Sequence, residues 1–304
     1  MNKHNMMTGF LVAAVAALAI IACIFLLGPD TDDTQQQAES VETTETHSEA
    51  SDPSAEEVSA DLAALVNDFL AEQGVDTTQL GIVIEDFESG GSYSLNATTY
   101  FTAASTYKLP LAMIYYDKLA TGALSPEDTL YYDASCYEEG GTIGYDYQPG
   151  DAISLETLLH EMIVESDNTA AHILYENLGG WMAFKKDIAY YSAAPVSEDD
   201  SVYYSYENMF TADYMSDVLA YLYAHEENYG TLLKDMLASR PDDYLNAKVG
   251  DKMAQKYGQY EMAENAVGLA MEGHPYSIAV YTALGYTGSV LIGDLNDIVW
   301  TYFN

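Results

Sequence analysis

A serine followed three positions later by a lysine, Ser105-Thr106-Tyr107-Lys108, has the makings of an activated nucleophile. A serine hydroxyl attacks poorly until a neighbour takes its proton, and on a helix a residue three positions on lies one turn along the same face. Residues 101–104 read as an extended lead-in, and 108–119 as a helix with apolar Leu109, Met113, Ile114 and Tyr116. Ser105 then falls at the helix start, within touching distance of Lys108, where free backbone N–H groups favour a developing anion. A helix cap accounts for the same four residues, so the motif acquires chemical meaning only from its companions.

Sixty-one positions on stands Ser166-Asp167-Asn168, between Leu155, Leu158, Leu159, Met162 and Ile163 before it and Ala170, Ala171, Ile173 and Leu174 after it, all at helical spacing. A polar triplet between two helices reads both as an N-cap and as a hydroxyl and carboxamide offered to a substrate. Both readings hold together. Lys256-Tyr257-Gly258 supplies a third element, a cation beside a small residue on a strand edge, able to hold an anion while letting substrate approach. Alone, it also reads as a turn with an exposed lysine.

In this order, Ser105-x-x-Lys108, Ser166-Asp167-Asn168 and Lys256-x-Gly258 resemble the class A β-lactamase and penicillin-recognising serine hydrolase family, over about residues 59–304. Residues 100–104, Gly140-Gly141-Thr142-Ile143 and 150–159 support the likeness. The resemblance implies that Ser105 is acylated, Lys108 is its base or orienter, and Ser166 relays protons to the leaving nitrogen. It further implies that Asn168 binds the substrate amide, Lys256 attracts the substrate carboxylate with Gly258 beside it letting substrate approach, and the N–H groups of Ser105 and Gln259 form the oxyanion hole. The implied fold is of the α/β class, α+β type: an antiparallel sheet built from both ends of the domain and flanked by helices, beside an all-helical lobe.

Two departures stand out. The family carries a glutamate followed a few residues later by an asparagine, and this pair activates the water that frees the acyl-enzyme. Between Asp187 and Thr211 the acids are Glu198, Asp199, Asp200 and Glu207, none at that spacing. Glu207 is the nearest candidate, and a solvated loop carboxylate is the plainer reading of it. The second departure is Tyr257, where the family has a short hydroxyl residue. Either its phenol turns away and the site loses one hydrogen bond, or the pocket suits a different ligand.

Residues 10–27 are an uncharged apolar run, preceded by Lys3 and followed by Asp30, Asp32 and Asp33. Such a run is long enough to cross a bilayer with the rest of the chain outside. Ile20-Ile21-Ala22-Cys23 also resembles a lipoprotein cleavage site with Cys23 lipidated, although Cys23 equally suits a plain membrane-helix position. The expected organisation is an anchor over 1–29, an acidic linker over 30–57 too polar to bury a core, and a hydrolase domain over 58–304. The expected location is the cell membrane, single-pass, with the domain outside the cytoplasm.

Ten Lys plus Arg against 48 Asp plus Glu give a net charge of −38, which excludes nucleic acid as a partner. The six histidines show no pair at zinc-ligand spacing on a helix, so neither metal nor cofactor is expected. Abundant tyrosine either fills interfaces or lines a groove for sugar or peptide. The expected partners are a small-molecule β-lactam or a cell-wall peptide, and the membrane through the N-terminal segment, with the chain a monomer.

Overall fold

The computed structural model describes residues 53–304 apart from 198. The expected anchor, Cys23 and most of the acidic linker lie outside the described residues. Among the described residues no helix is long and apolar enough to cross a membrane.

Helix α1 (Ala55–Gln73) opens on a capping box between Ser54 and Glu57 and stops at Gly74, which takes the left-handed conformation at φ 64°. Its buried residues Val58, Leu62, Val66 and Leu70 recur every fourth position and form one stripe. The hairpin β1 (Leu80–Asp86) and β2 (Ser92–Leu95) follows, then the short β3 (Phe101–Thr102) and α2 (Lys108–Ala120). The middle of the chain is mainly helical: β4 (Thr129–Tyr131), α3 (Ile143–Asp146), β5 (Ala152–Ser154), α4 (Leu155–Val164), α5 (Asn168–Asn177), α6 (Trp181–Ile188), β6 (Met209–Phe210), α7 (Ala212–Ala224) and α8 (Gly230–Ala238). Strands β7 (Met253–Tyr260), β8 (Ala263–Ala270) and β9 (Tyr276–Thr282) and helix α9 (Tyr286–Phe303) close the domain.

The main sheet has five strands in the order β2-β1-β9-β8-β7, all neighbours antiparallel. The first strand of the domain therefore pairs with the last, Ile82 opposite Val280 and Val83 opposite Ala279. Alternation along these strands sends Ile82, Ile84, Ile278 and Val280 to one face, under α1 and α9. Val83, Ala279 and Tyr281 go to the other, under the helical portion. Each fully buried Leu, Ile or Val contributes about 1.5–3 kcal/mol, so both faces are strongly held. This is the mixed architecture expected from the sequence, an antiparallel sheet built from both ends with helices covering it.

Local departures are small. Residues 101–104 are strand only over Phe101–Thr102. Cys136 is buried and unpaired, as a packing residue would be.

Candidate active site

Ser105 does not start the α-helix as expected; it sits in a separate 3-10 turn, Ala104–Tyr107, immediately before α2. Ala104 has φ 49°, a region that costs a residue with a side chain about 1–3 kcal/mol and persists only where surroundings enforce it. Those surroundings are identifiable. Asn265 Nδ2 donates to Thr102 O at 2.8 Å and Ala103 O at 3.1 Å, and Asn208 Nδ2 donates to Ala104 O at 2.7 Å. Thr106 Oγ1 donates to Ala103 O at 2.8 Å and lies 2.9 Å from the Tyr281 hydroxyl.

Strand β7 presses on the same turn from the side. A Cβ built on Gly258 would lie 2.8 Å from both Ala103 O and Ser105 N, closer than any side chain tolerates, so only glycine permits this approach. Contact at Gly258 sets the next residue, Gln259, beside Ser105 in the wall of one cavity.

The second motif is held differently. Asp167 is the N-cap of α5, its Oδ1 accepting from Ala170 N at 2.7 Å while Oδ2 accepts from Ile143 N at 2.8 Å. The capping reading is thus correct for Asp167, while the side chains of Ser166 and Asn168 on either side take no part in the cap. Gly140 and Gly141, at φ 98° and 106°, wrap the triplet. Asn168 N donates to Gly140 O at 3.0 Å and Asn168 Nδ2 to Glu139 O at 2.6 Å. Ser166 is itself at φ 56°, a second enforced left-handed residue.

The two lysines converge on this serine. Lys108 Nζ donates to Ser166 O and Asn168 Oδ1, each at 2.6 Å, and lies 3.3 Å from Ser166 Oγ. Lys256 Nζ donates to the same Oγ at 3.0 Å and to Tyr257 O at 3.1 Å. The expected contact of Lys108 with Ser105 is therefore replaced, among the described residues, by hydrogen bonds to Ser166 and Asn168. Lys256 is wholly buried, which rules out the exposed-turn reading of that motif.

Burial sets the electrostatics. Loss of water around Lys108 pushes its ammonium down to about 7, against the opposing pull of Asp167 and Glu138. Lys256 is driven well below the ordinary lysine range, first by burial and then by the charges of Lys108 and Arg240. A neutral amine at Lys108 can accept a proton, and Ser166 Oγ, between the two nitrogens, can pass it on.

Tyr257 resolves the second departure. It is only 7% exposed, stacked on Tyr244 at 5.2 Å between ring centres, with the Arg240 guanidinium 4.9 Å and the Lys256 ammonium 4.1 Å from its ring. The phenol does not enter the cavity.

The cavity beside Ser105 has a volume of about 690 Å³, and Asn168, Glu207, Asn208 and Gln259 also line it. Glu207 is exposed at its rim. Asp200, by contrast, accepts from the Tyr100 hydroxyl at 2.5 Å and from Val202 N and Tyr203 N, and belongs to the scaffold of its loop. That loop is fastened to α6: Trp181 Nε1 donates to Ser205 O at 3.2 Å, and fully buried Lys185 donates to Met209 O at 3.2 Å with its ammonium 3.9 Å from the Phe210 ring. Burial pushes Lys185 down to about 7. Among the described residues no group of three or more His, Cys, Asp or Glu is placed to hold a metal ion.

Sequence reasoning missed Asn265, Asn208 and Tyr281, which fix the nucleophile turn. A signal existed for the first, since asparagine is depleted in strands and this one stands immediately before the apolar run that begins at Ala266.

Residues 57–303 match the family model described as the β-lactamase enzyme family. Comparison with curated proteins finds no match. Among solved structures the chain is similar to PBP-A, at 21% identity over 80% of this chain and 96% of that one, with a TM-score of 0.68. It is likewise similar to a β-lactamase from Sphaerobacter thermophilus DSM 20745, at 23% identity over 81% and 97% with a TM-score of 0.65. A β-lactamase from Chitinophaga pinensis DSM 2588 matches at 20% identity over 80% and 100% with a TM-score of 0.68. The turn-borne serine, the capped Ser-Asp-Asn triplet and the glycine-flanked strand lysine thus sit in a fold shared with these proteins, and the chain belongs to the β-lactamase enzyme family.

Proposed function

We propose that this chain is a membrane-tethered, extracytoplasmic serine hydrolase that opens a β-lactam amide through an acyl-Ser105 intermediate. One observation carries the reading: two buried amines meet at Ser166 Oγ, at 3.3 and 3.0 Å, while Ser105, Asn168 and Gln259 line the adjoining cavity. Ser105 Oγ attacks the lactam carbonyl, and neutral Lys108 receives its proton. The N–H groups of Ser105 and Gln259 take the developing oxyanion. As the C–N bond breaks, the proton passes through Ser166 to the departing nitrogen, which becomes an N–H. Asn168 holds the substrate amide, and Lys256 receives the carboxylate, whose negative charge favours the ammonium form against burial. Tethering rests on the apolar run 10–27 and the acids that follow it.

Release of the acyl group then needs a water and a base, for which Glu207 is the candidate of the two carboxylates that line the cavity, Glu138 being paired with His172. Its exposure supports a second reading, a penicillin-binding protein that acylates and stalls, since a solvated carboxylate fixes a water poorly. A mutant of PBP-A has been solved as its acyl-enzyme complex with penicillin G. The deciding experiment follows chromogenic cephalosporin hydrolysis and intact-protein mass together, beside a Ser105→Ala control. Turnover abolished in the control supports hydrolysis, and a persistent adduct on Ser105 supports the stalled form. Neither turnover nor adduct overturns both.

A further inference from the structure

The cavity beside Ser105 has a composition that the acylation chemistry does not use. Its wall includes Tyr107, Tyr175 and Trp181, and its mouth Tyr206. Trp181 meets Tyr107 edge-to-face at 5.2 Å and Tyr175 at 5.7 Å, so these rings brace one another. Tyr206 is 83% exposed, a large aromatic in water at the entrance. Two carboxylates, Glu138 and Glu207, also line the cavity. The nearby amines are differently placed: Lys108 and Lys256 are buried behind Ser166, with Lys108 Nζ 5.9 Å from the centre of the Tyr107 ring, and buried Lys185 holds its Nζ 5.9 Å from that of Trp181. His172 Nδ1 lies 2.8 Å from Glu138 Oε1, with Glu176 on its other side at 3.9 Å, so acid outnumbers base around that residue as well.

Aromatic faces with carboxylates beside them attract a cation, and they attract it most where water is excluded. We propose that this cavity receives a positively charged amine on the acyl donor. The preferred substrates are then zwitterionic, with an ammonium group among Tyr107, Glu138, Tyr175, Trp181, Tyr206 and Glu207 and a carboxylate drawn to Lys256. This selectivity rests on the acyl-Ser105 reading and adds a substrate class to it. The covalent step is unchanged: the Ser105 Oγ–acyl bond forms, the lactam C–N bond breaks, the serine proton ends on the ring nitrogen, and no co-reactant enters.

Two probes isolate the effect: benzylpenicillin carrying a para-aminomethyl group, and the same compound N-acetylated. Acylation of the full chain is followed by mass at pH 7 in low salt. The amine should react about five to tenfold faster, the range of one cation–π contact, and the advantage should shrink in high salt. The double variant Glu138→Gln, Glu207→Gln should lower the rate ratio, leaving only the share that the aromatic faces supply. Equal rates with adducts forming from both probes, or a ratio unmoved in the double variant, would sink the cation assignment and leave acylation standing. Absence of both adduct and turnover with either probe overturns acylation and the assignment together.

Discussion

Lys108 shows how position alone can turn an ordinary side chain into a base. In water a lysine is protonated at neutral pH, but here burial brings its ammonium down to about 7 although Asp167 and Glu138 pull the other way. The proton-accepting form is the neutral amine, and its population grows as pH rises. Acylation of Ser105 should therefore climb through about pH 7 and level off above it, which a pH profile of adduct formation measures. Lys108→Arg, fixed in its charged form, should remove that limb and slow acylation severely. A profile flat from pH 5 to 9 would contradict the assigned proton transfer.

At the scale of elements, the decisive contact is a strand against a turn. Gly258 of β7 touches the backbone of Ala103 and Ser105 with no room for a methyl group. Gly258→Ala must push the strand back, carrying Gln259 away from the nucleophile, and acylation should fall about tenfold to a hundredfold with the fold retained. Gly230→Ala, where a methyl meets open space, serves as the control and should change neither acylation nor circular dichroism. The three motifs were legible in the sequence because each is contiguous and keeps its chemistry within three or four residues. What holds them was not. Asn265, Asn208 and Tyr281 reach the turn from strands and loops that only the folded chain brings close. The left-handed backbone at Ala104 and Ser166 was equally hidden, since neither residue type announces it. Tyr257 shows the opposite case: the sequence posed two outcomes, and strand alternation chose the one in which the ring faces Tyr244.

For the whole molecule, charge is the dominant fact. A net of −38 makes self-repulsion a standing cost of compaction. Raising sodium chloride from about 10 mM to about 1 M shortens the screening length from roughly 30 Å to roughly 3 Å, so the melting temperature should rise with salt. A melting temperature that falls or stays constant would show the acids to be too dispersed to matter. The same dispersion of acid over most of the chain makes the two inward-facing amines of the site conspicuous, since only ten Lys and Arg exist to place.

The pairing of β1 with β9 has a consequence in time. An emerging chain presents Leu80–Asp86 well before the neighbour that must lie along it, Tyr276–Thr282, which follows only after the whole helical portion. Until those residues emerge the sheet has no centre, and helices α1 and α9 have no common floor to settle on. Such distant closure makes folding slow, and it keeps the polypeptide threadable until the later strand has emerged.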